Sequence, residues 1–112
     1  MKPIFHPEAA REFHAAVHQY TDIDHALGMD FEAKVEECLL LAISYPGMWR
    51  EMQRGIRRAL IRRFPFGIIY AYDEEVFYVL AVMHLHARPG YWKNRKKDSP
   101  VRPSRRIRSK GR

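Results

Sequence analysis

A chain of 112 residues with 46% hydrophobic residues fills one modest core but not two, and no window comes near the 18 apolar residues of a membrane span. The net charge of +7 is unevenly placed: residues 1–48 hold three Lys/Arg against eight Asp/Glu, residues 49–92 seven against four, and residues 93–112 ten against one. That asymmetry points to an anionic partner for the C-terminal part, while a lone cysteine, Cys38, excludes an internal disulfide and any Cys-based zinc motif.

The N-terminus, MKPIFHPEAARE, has no apolar h-region, so a cytoplasmic protein is expected. Ile4 and Phe5 favour a short first strand, placed at a sheet edge because Pro3 has no amide to donate. Pro7 and Glu8 then open a helix, and Ala10, Phe13, Val17 and Tyr20 give it an apolar face over residues 7–20, with Glu8, Arg11, Glu12, His14 and His18 directed elsewhere. Asp22 and Asp24 in the polar break supply a cap for a second, longer helix. Its stripe runs Leu27, Phe31, Val35, Cys38, Ala42 and Tyr45, and Pro46-Gly47 ends it. Gly28 inside this pattern costs about 1 kcal/mol relative to alanine, and close approach of the first helix is one reason that would account for it. Leu39, Leu40, Leu41 and Ile43 widen the apolar surface of the last turns beyond one stripe, which suits deep burial or a partner. Two helices joined by so short a break predict an antiparallel hairpin lying on a sheet.

Residues 49–54 form a connection with room for a short edge segment. A strand is expected over Ile56 to Phe64, with a bulge to reconcile its mixed faces, then a break at Pro65, a strand over Gly67 to Tyr72, a loop at Asp73-Glu74-Glu75, and a last strand over Val76 to Ala87. Apolar on both faces, the last strand belongs inside the sheet. Strict alternation places Val76, Tyr78, Leu80 and Val82 on one face, followed by His84, His86 and Arg88. Tyr91 and Trp92 are expected to fold back on the sheet edge. The fold class is therefore α+β, in the order β-α-α-β-β-β, on a mainly antiparallel sheet. Residues 93–112 form a basic tail expected to be disordered until bound, outside a domain of residues 1–92.

His14 and His18 sit one helical turn apart, but no glutamate at position 15 and no third ligand accompany them; a solvated helix face is the better reading, and neither metal nor cofactor is expected. Arg57, Arg58, Arg62 and Arg63 either clamp phosphates or carboxylates through their forks, or line a solvated strand face and pair with the acidic helices. His84, His86, Arg88 and Tyr91 combine an imidazole titrating near neutrality, a cation and a phenol; this suits proton transfer and stabilisation of a phosphorane in RNA cleavage, and equally suits a binding surface without chemistry.

The segments Phe5 to Glu12 (FxPxAxxE), Gly28 to Phe31, Gly55 to Arg58 (GxRR), Phe64 to Tyr70 (FPFxIxY) and His84 to Trp92 (HxxxRPxYW), in this order, resemble the RelE/ParE toxin superfamily of type II toxin–antitoxin systems over residues 2 to about 95. The resemblance implies a small α+β toxin neutralised by an antitoxin segment that wraps it, in a hetero-oligomer. RelE-like members cut messenger RNA on the ribosome with lysines, arginines and a C-terminal tyrosine, without a metal; ParE-like members poison DNA gyrase. This chain carries Gly67 where RelE-like members commonly carry an arginine before the two apolar residues and tyrosine, and it has no lysine between Lys34 and Lys93. Both departures favour the ParE-like branch. On that basis the expected target- or nucleic-acid-binding residues are Arg57, Arg58, Arg62, His86, Trp92 and Arg95, the antitoxin-binding residues are Leu39, Leu40 and Ile43, and His84, Arg88 and Tyr91 are the catalytic candidates of the nuclease alternative. A non-toxic basic interaction module is the remaining alternative.

Overall fold

In the computed structural model, which describes residues 1–103, the chain runs β1 (Pro3–Phe5), α1 (Pro7–Ile23), α2 (His25–Ser44), β2 (Glu51–Gln53), β3 (Ile56–Leu60), β4 (Phe66–Tyr72), β5 (Phe77–His84) and a 3-10 helix (Lys93–Asp98). One five-stranded sheet has the order β1-β5-β4-β3-β2, antiparallel except where β1 lies parallel to β5. The α+β order expected from the sequence is thus present, with β1 at one edge and the short β2 added at the other.

Capping explains the two helix starts. The His6 ring accepts the Glu8 amide at 3.0 Å through Nδ1, and the Asp24 carboxylate accepts the Ala26 amide at 3.0 Å. The first helix runs three residues beyond the expected Tyr20, and Asp24 both ends it and starts the next. Gly28 has the role its position implied: a Cβ there would stand 2.0 Å from Thr21 Oγ1 and 3.0 Å from Thr21 Cα, so the hairpin closes only over hydrogen.

The helices cover one face of the sheet. Phe31, Val35, Cys38 and Ala42 of α2 and Ala9 and Ala16 of α1 meet Ala59, Ile68, Tyr70, Phe77, Val79 and Val82 from the strands. Phe31, Phe64 and Phe66 join with Tyr20 in an aromatic cluster with centroids 5.0 to 6.2 Å apart. Such burial stabilises by roughly 1.5–3 kcal/mol per large side chain. The opposite face is apolar too. Ile56, Ile69, Ala71, Tyr78, Leu80 and Met83 are covered by Trp92, with Tyr91, Ala87 and Val101 packed around them.

Three expectations for the C-terminal half change. The third strand stops at Leu60 instead of Phe64; Arg62 and Arg63 occupy a turn, Arg63 with φ 72°. The irregularities lie in β5 and β2 rather than β3: Ile69 faces Ala81 while Tyr70 faces Val79, so Leu80 is an extra residue and Val82 turns to the helix side with Val79, and Met52 is extra between Glu51, opposite Arg57, and Gln53, opposite Ile56. The last strand ends at His84, so His86 and Arg88 fall outside it and do not continue a strand face; the His86 amide folds back onto His84 Nδ1 at 3.1 Å.

The basic segment also departs from the expectation, because residues 93–103 pack on the domain instead of leaving it at residue 92. Trp92 enters the outer core, Asp98 meets His6 Nε2 at 2.8 Å, and the Arg102 amide donates to Asp73 at 2.9 Å. An uncovered outer face would leave Ile69, Tyr78 and Leu80 in water, and that apolar area holds the segment down. The remaining tail, residues 104–112, lies outside the described residues.

Candidate functional site

The β5 bulge is the centre of a polar cluster. β1 registers with β5 only as far as Val79, so beyond it the backbone of β5 needs other partners. Glu12 of α1 supplies them: Oε1 accepts the Val82 amide at 3.0 Å, and Arg95 forks onto the same carboxylate at 3.1 and 2.8 Å while also donating to the Leu80 carbonyl at 2.9 Å. Tyr91 completes it, its hydroxyl 2.9 Å from Glu12 Oε2 and its ring 5.1 Å from the Arg95 guanidinium carbon. Both charges are largely out of water, with Arg95 14% and Glu12 23% exposed.

Glu12 therefore accepts four hydrogen bonds, two on each carboxylate oxygen. Burial, then the Glu12 carboxylate, push the Tyr91 phenol well above its ordinary range. This cluster joins the C-terminal segment to α1; it is a scaffold, and Tyr91 is brought to Glu12 and Arg95 rather than into a group with His84.

Glu12 was not among the expected site residues, because the helical pattern directed it to solvent. It lies three residues after Ala9 and four before Ala16, both buried, and it is the final position of the FxPxAxxE pattern. Those were the available signals. Arg95 and Trp92, expected to contact a target, have another part here: Arg95 is paired with Glu12 and Trp92 is 1% exposed.

His84 and His86 remain in the open. The His84 ring stacks edgewise on Phe66 at 5.0 Å with the His86 ring 5.3 Å away, and Arg88 is exposed nearby in the chain with no ion-pair partner among the described residues. His14 and His18 are exposed on α1.

The four arginines divide. Arg62 pairs with Glu37 at 3.1 Å and Arg63 with Asp30 at 2.7 Å, so these two join the sheet turn to the acidic helix α2. Arg57 lies toward the helices, donating to the Trp49 carbonyl and approaching the Tyr72 ring at 5.9 Å. Arg58 lies on the other face, its stem laid across Gly67: a Cβ at position 67 would stand 3.0 Å from Arg58 Cγ. Gly67 is thus the residue that lets Arg58 lie flat.

On α2, Leu40 and Leu41 are exposed at 63% and 43%, whereas Leu39 and Ile43 pack partly against the core. Beside them a cavity of about 250 Å3 is lined by Phe5, Phe13, Val35 and Leu39 and rimmed by Glu32 and Glu36.

Compared with solved structures, the chain matches "Chromosomal ParDE TA system from P. aeruginosa" with a TM-score of 0.65. The two chains share a fold. At 16% identity the match covers 77% of this chain and 97% of that one. No family model and no curated protein matches the sequence. Among the described residues no helix is long and apolar enough to cross a membrane.

Cys38, Tyr70 and Tyr91 are the groups of this fold that resist deprotonation most. Burial, and secondarily Glu37, push the Cys38 thiol up from 9.0 to about 12; burial pushes the Tyr70 phenol up from 10.0 to about 12; Tyr91 is raised as well. Each acid is held protonated longer in the folded chain than in the unfolded one. The stability this gives is fully present below the unfolded values and is lost as pH rises through the folded ones. Urea midpoints should therefore hold up to about pH 9 and fall steeply toward pH 12, by about 1.4 kcal/mol per pH unit for each group involved. Tyrosinate absorbance should appear with unfolding; all six tyrosines titrating near pH 10 in a folded chain would contradict the assignment.

Proposed function

We propose that this chain is the toxin of a type II toxin–antitoxin pair, neutralised by a cognate antitoxin and acting by binding a replication target, DNA gyrase. The observation that carries the reading is the fold shared with a ParDE-system chain over nearly all of that chain's length. The ordered superfamily segments of the sequence agree with it. The exposed Leu40 and Leu41 and the acidic-rimmed cavity beside Leu39 suit an antitoxin segment with apolar anchors and basic flanks.

Binding is favoured over cleavage because Tyr91, the phenol a nuclease of this type would use, donates to Glu12, and because position 67 carries no arginine. His84 and Arg88 are the residues on which the alternative, a metal-independent ribosome-dependent endoribonuclease, would rest.

Induced expression should arrest growth, co-expression of a small acidic neighbouring gene product should relieve the arrest, and the purified chain should trap gyrase-cleaved DNA. Transcript cleavage on ribosomes with no trapped gyrase complex would replace this reading with the nuclease. Harmless expression would leave a basic interaction module.

A further inference from the structure

The sheet face turned away from the helices is not wholly covered by the C-terminal segment. At its β2–β3 end a groove of about 420 Å3 is open, lined by Trp49, Arg50, Glu51, Met52, Arg58 and Leu60. That volume falls in the range of roughly 300–1,000 Å3 usual for binding clefts. Two apolar side chains of its lining are accessible, Leu60 being 44% and Met52 42% exposed, which is unusual for residues of a sheet. Arg50 and Arg58 stand over it, and neither has an ion-pair partner among the described residues, although Arg57, Arg62, Arg63 and Arg95 all do. Beside the groove, β2 is the last strand of the sheet and leaves one edge unpaired.

We propose that this groove docks an acidic, extended protein segment that inserts an apolar side chain between Met52 and Leu60 and places carboxylates on Arg50 and Arg58. Charge complementarity identifies the occupant. These two guanidiniums, without ion-pair partners among the described residues, present forks that match carboxylates bidentately, and their neighbour Glu51 is already engaged by Arg57 at 3.6 Å. Leu60 and Met52 argue for protein over nucleic acid: aliphatic and thioether groups adapt to a side chain, whereas single strands are held by exposed aromatic rings on which bases stack. Trp49, the aromatic residue of the groove, has its indole Nε1 buried. Gly67 contributes from below, since its missing side chain holds the Arg58 stem flat and reduces the ordering that docking requires. The open edge of β2 offers backbone hydrogen bonds to the same segment. The proposal rests on the toxin reading only in taking the segment to belong to the target.

The test uses the full chain labelled at its methionine methyls, a 12-residue peptide of alternating Glu and Leu, its Lys–Leu counterpart, and a 12-nucleotide oligo-dT. The Glu–Leu peptide should shift the Met52 methyl saturably and the Lys–Leu peptide should not. Arg50→Glu with Arg58→Glu should weaken that binding at least about tenfold, whereas Lys93→Glu with Lys97→Glu, the same change in net charge, should stay within about twofold. Gly67→Ala, which changes no charge, should weaken it several-fold by displacing Arg58. Circular dichroism verifies the fold of each variant. Equal weakening by both charge reversals, or a Met52 shift given by oligo-dT and not by the Glu–Leu peptide, overturns the proposal. Growth arrest is scored separately: arrest by a chain with no groove binding sinks the groove and spares the toxin reading, and groove binding without arrest does the reverse.

Discussion

Glu12→Ala should lower the unfolding free energy by about 3 kcal/mol, the cost of leaving one partner of a largely buried ion pair uncompensated. The substitution takes the acceptor from Arg95, Tyr91 and the Val82 amide at once, and α1 cannot close over the vacancy because Ala9 and Ala16 on either side are already packed. In a domain of this size that loss lowers the melting temperature by on the order of 15 °C. Glu12→Gln should cost less, since the amide oxygen still accepts from Val82 or Tyr91, but its NH2 group meets the guanidinium as donor against donor. Urea unfolding of Glu12→Ala, Arg95→Met and the double variant measures the coupling, expected at 1 kcal/mol or more as an order-of-magnitude figure. Independent, additive losses would show that the cluster is not a unit. Hydrogen exchange supplies a further readout: Val82 should lose protection in Glu12→Ala and in Arg95→Met, though less in the latter because Glu12 still holds it.

Trp92→Ala should cost as much or more, about 3–5 kcal/mol, by the transfer and cavity terms for a large aromatic side chain. Trp92 is 1% exposed and covers Ile69, Tyr78, Leu80 and Met83, so its truncation leaves a cavity in the outer core and loosens the segment that Arg95, Asp98 and Val101 also hold. Trp92→Phe should recover more than half of the loss, because the indole N–H has no hydrogen-bond partner and is not missed. Chemical denaturation with the indole fluorescence of Trp49 as probe orders the three chains. A Trp92→Ala loss below about 1 kcal/mol would mean that the outer face is not a core and that residues 93–103 do not hold to it.

The helical half was legible because its signals are local. Apolar spacing, Asp24 as a cap and Pro46-Gly47 as a stop each act within a few residues, and a glycine inside a helix signals a close neighbour even without naming Thr21. Strand order was legible for a related reason: two turns and a doubly apolar last strand leave few ways to stack β3, β4 and β5.

The polar sites were less legible. Leu80 is an ordinary apolar residue in an apolar strand, and nothing in its type marks it as the extra residue of a bulge; pairing with β4 decides that. Once the bulge turns Val82 to the helices, each later residue of the strand changes face, which is why His84 falls beside Phe66; the expected face of His84, His86 and Arg88 does not form because the strand ends at His84. Glu12 and Arg95 are 83 positions apart, a separation over which neither helical period nor charge pattern carries information.

What the sequence determined by itself was the β-α-α-β-β-β order, the internal place of the last strand, and the acid–base asymmetry between helices and C-terminal part. Each depends on periodicity, turn chemistry or composition, which are properties of short stretches. Only the tertiary structure decided that residues 93–103 belong to the fold, that Tyr91 and Arg95 serve Glu12, and that Arg50 and Arg58 line a groove without an ion-pair partner among the described residues. Those outcomes follow from which apolar face remains uncovered after the helices have packed, and from which charges find a partner across the sheet.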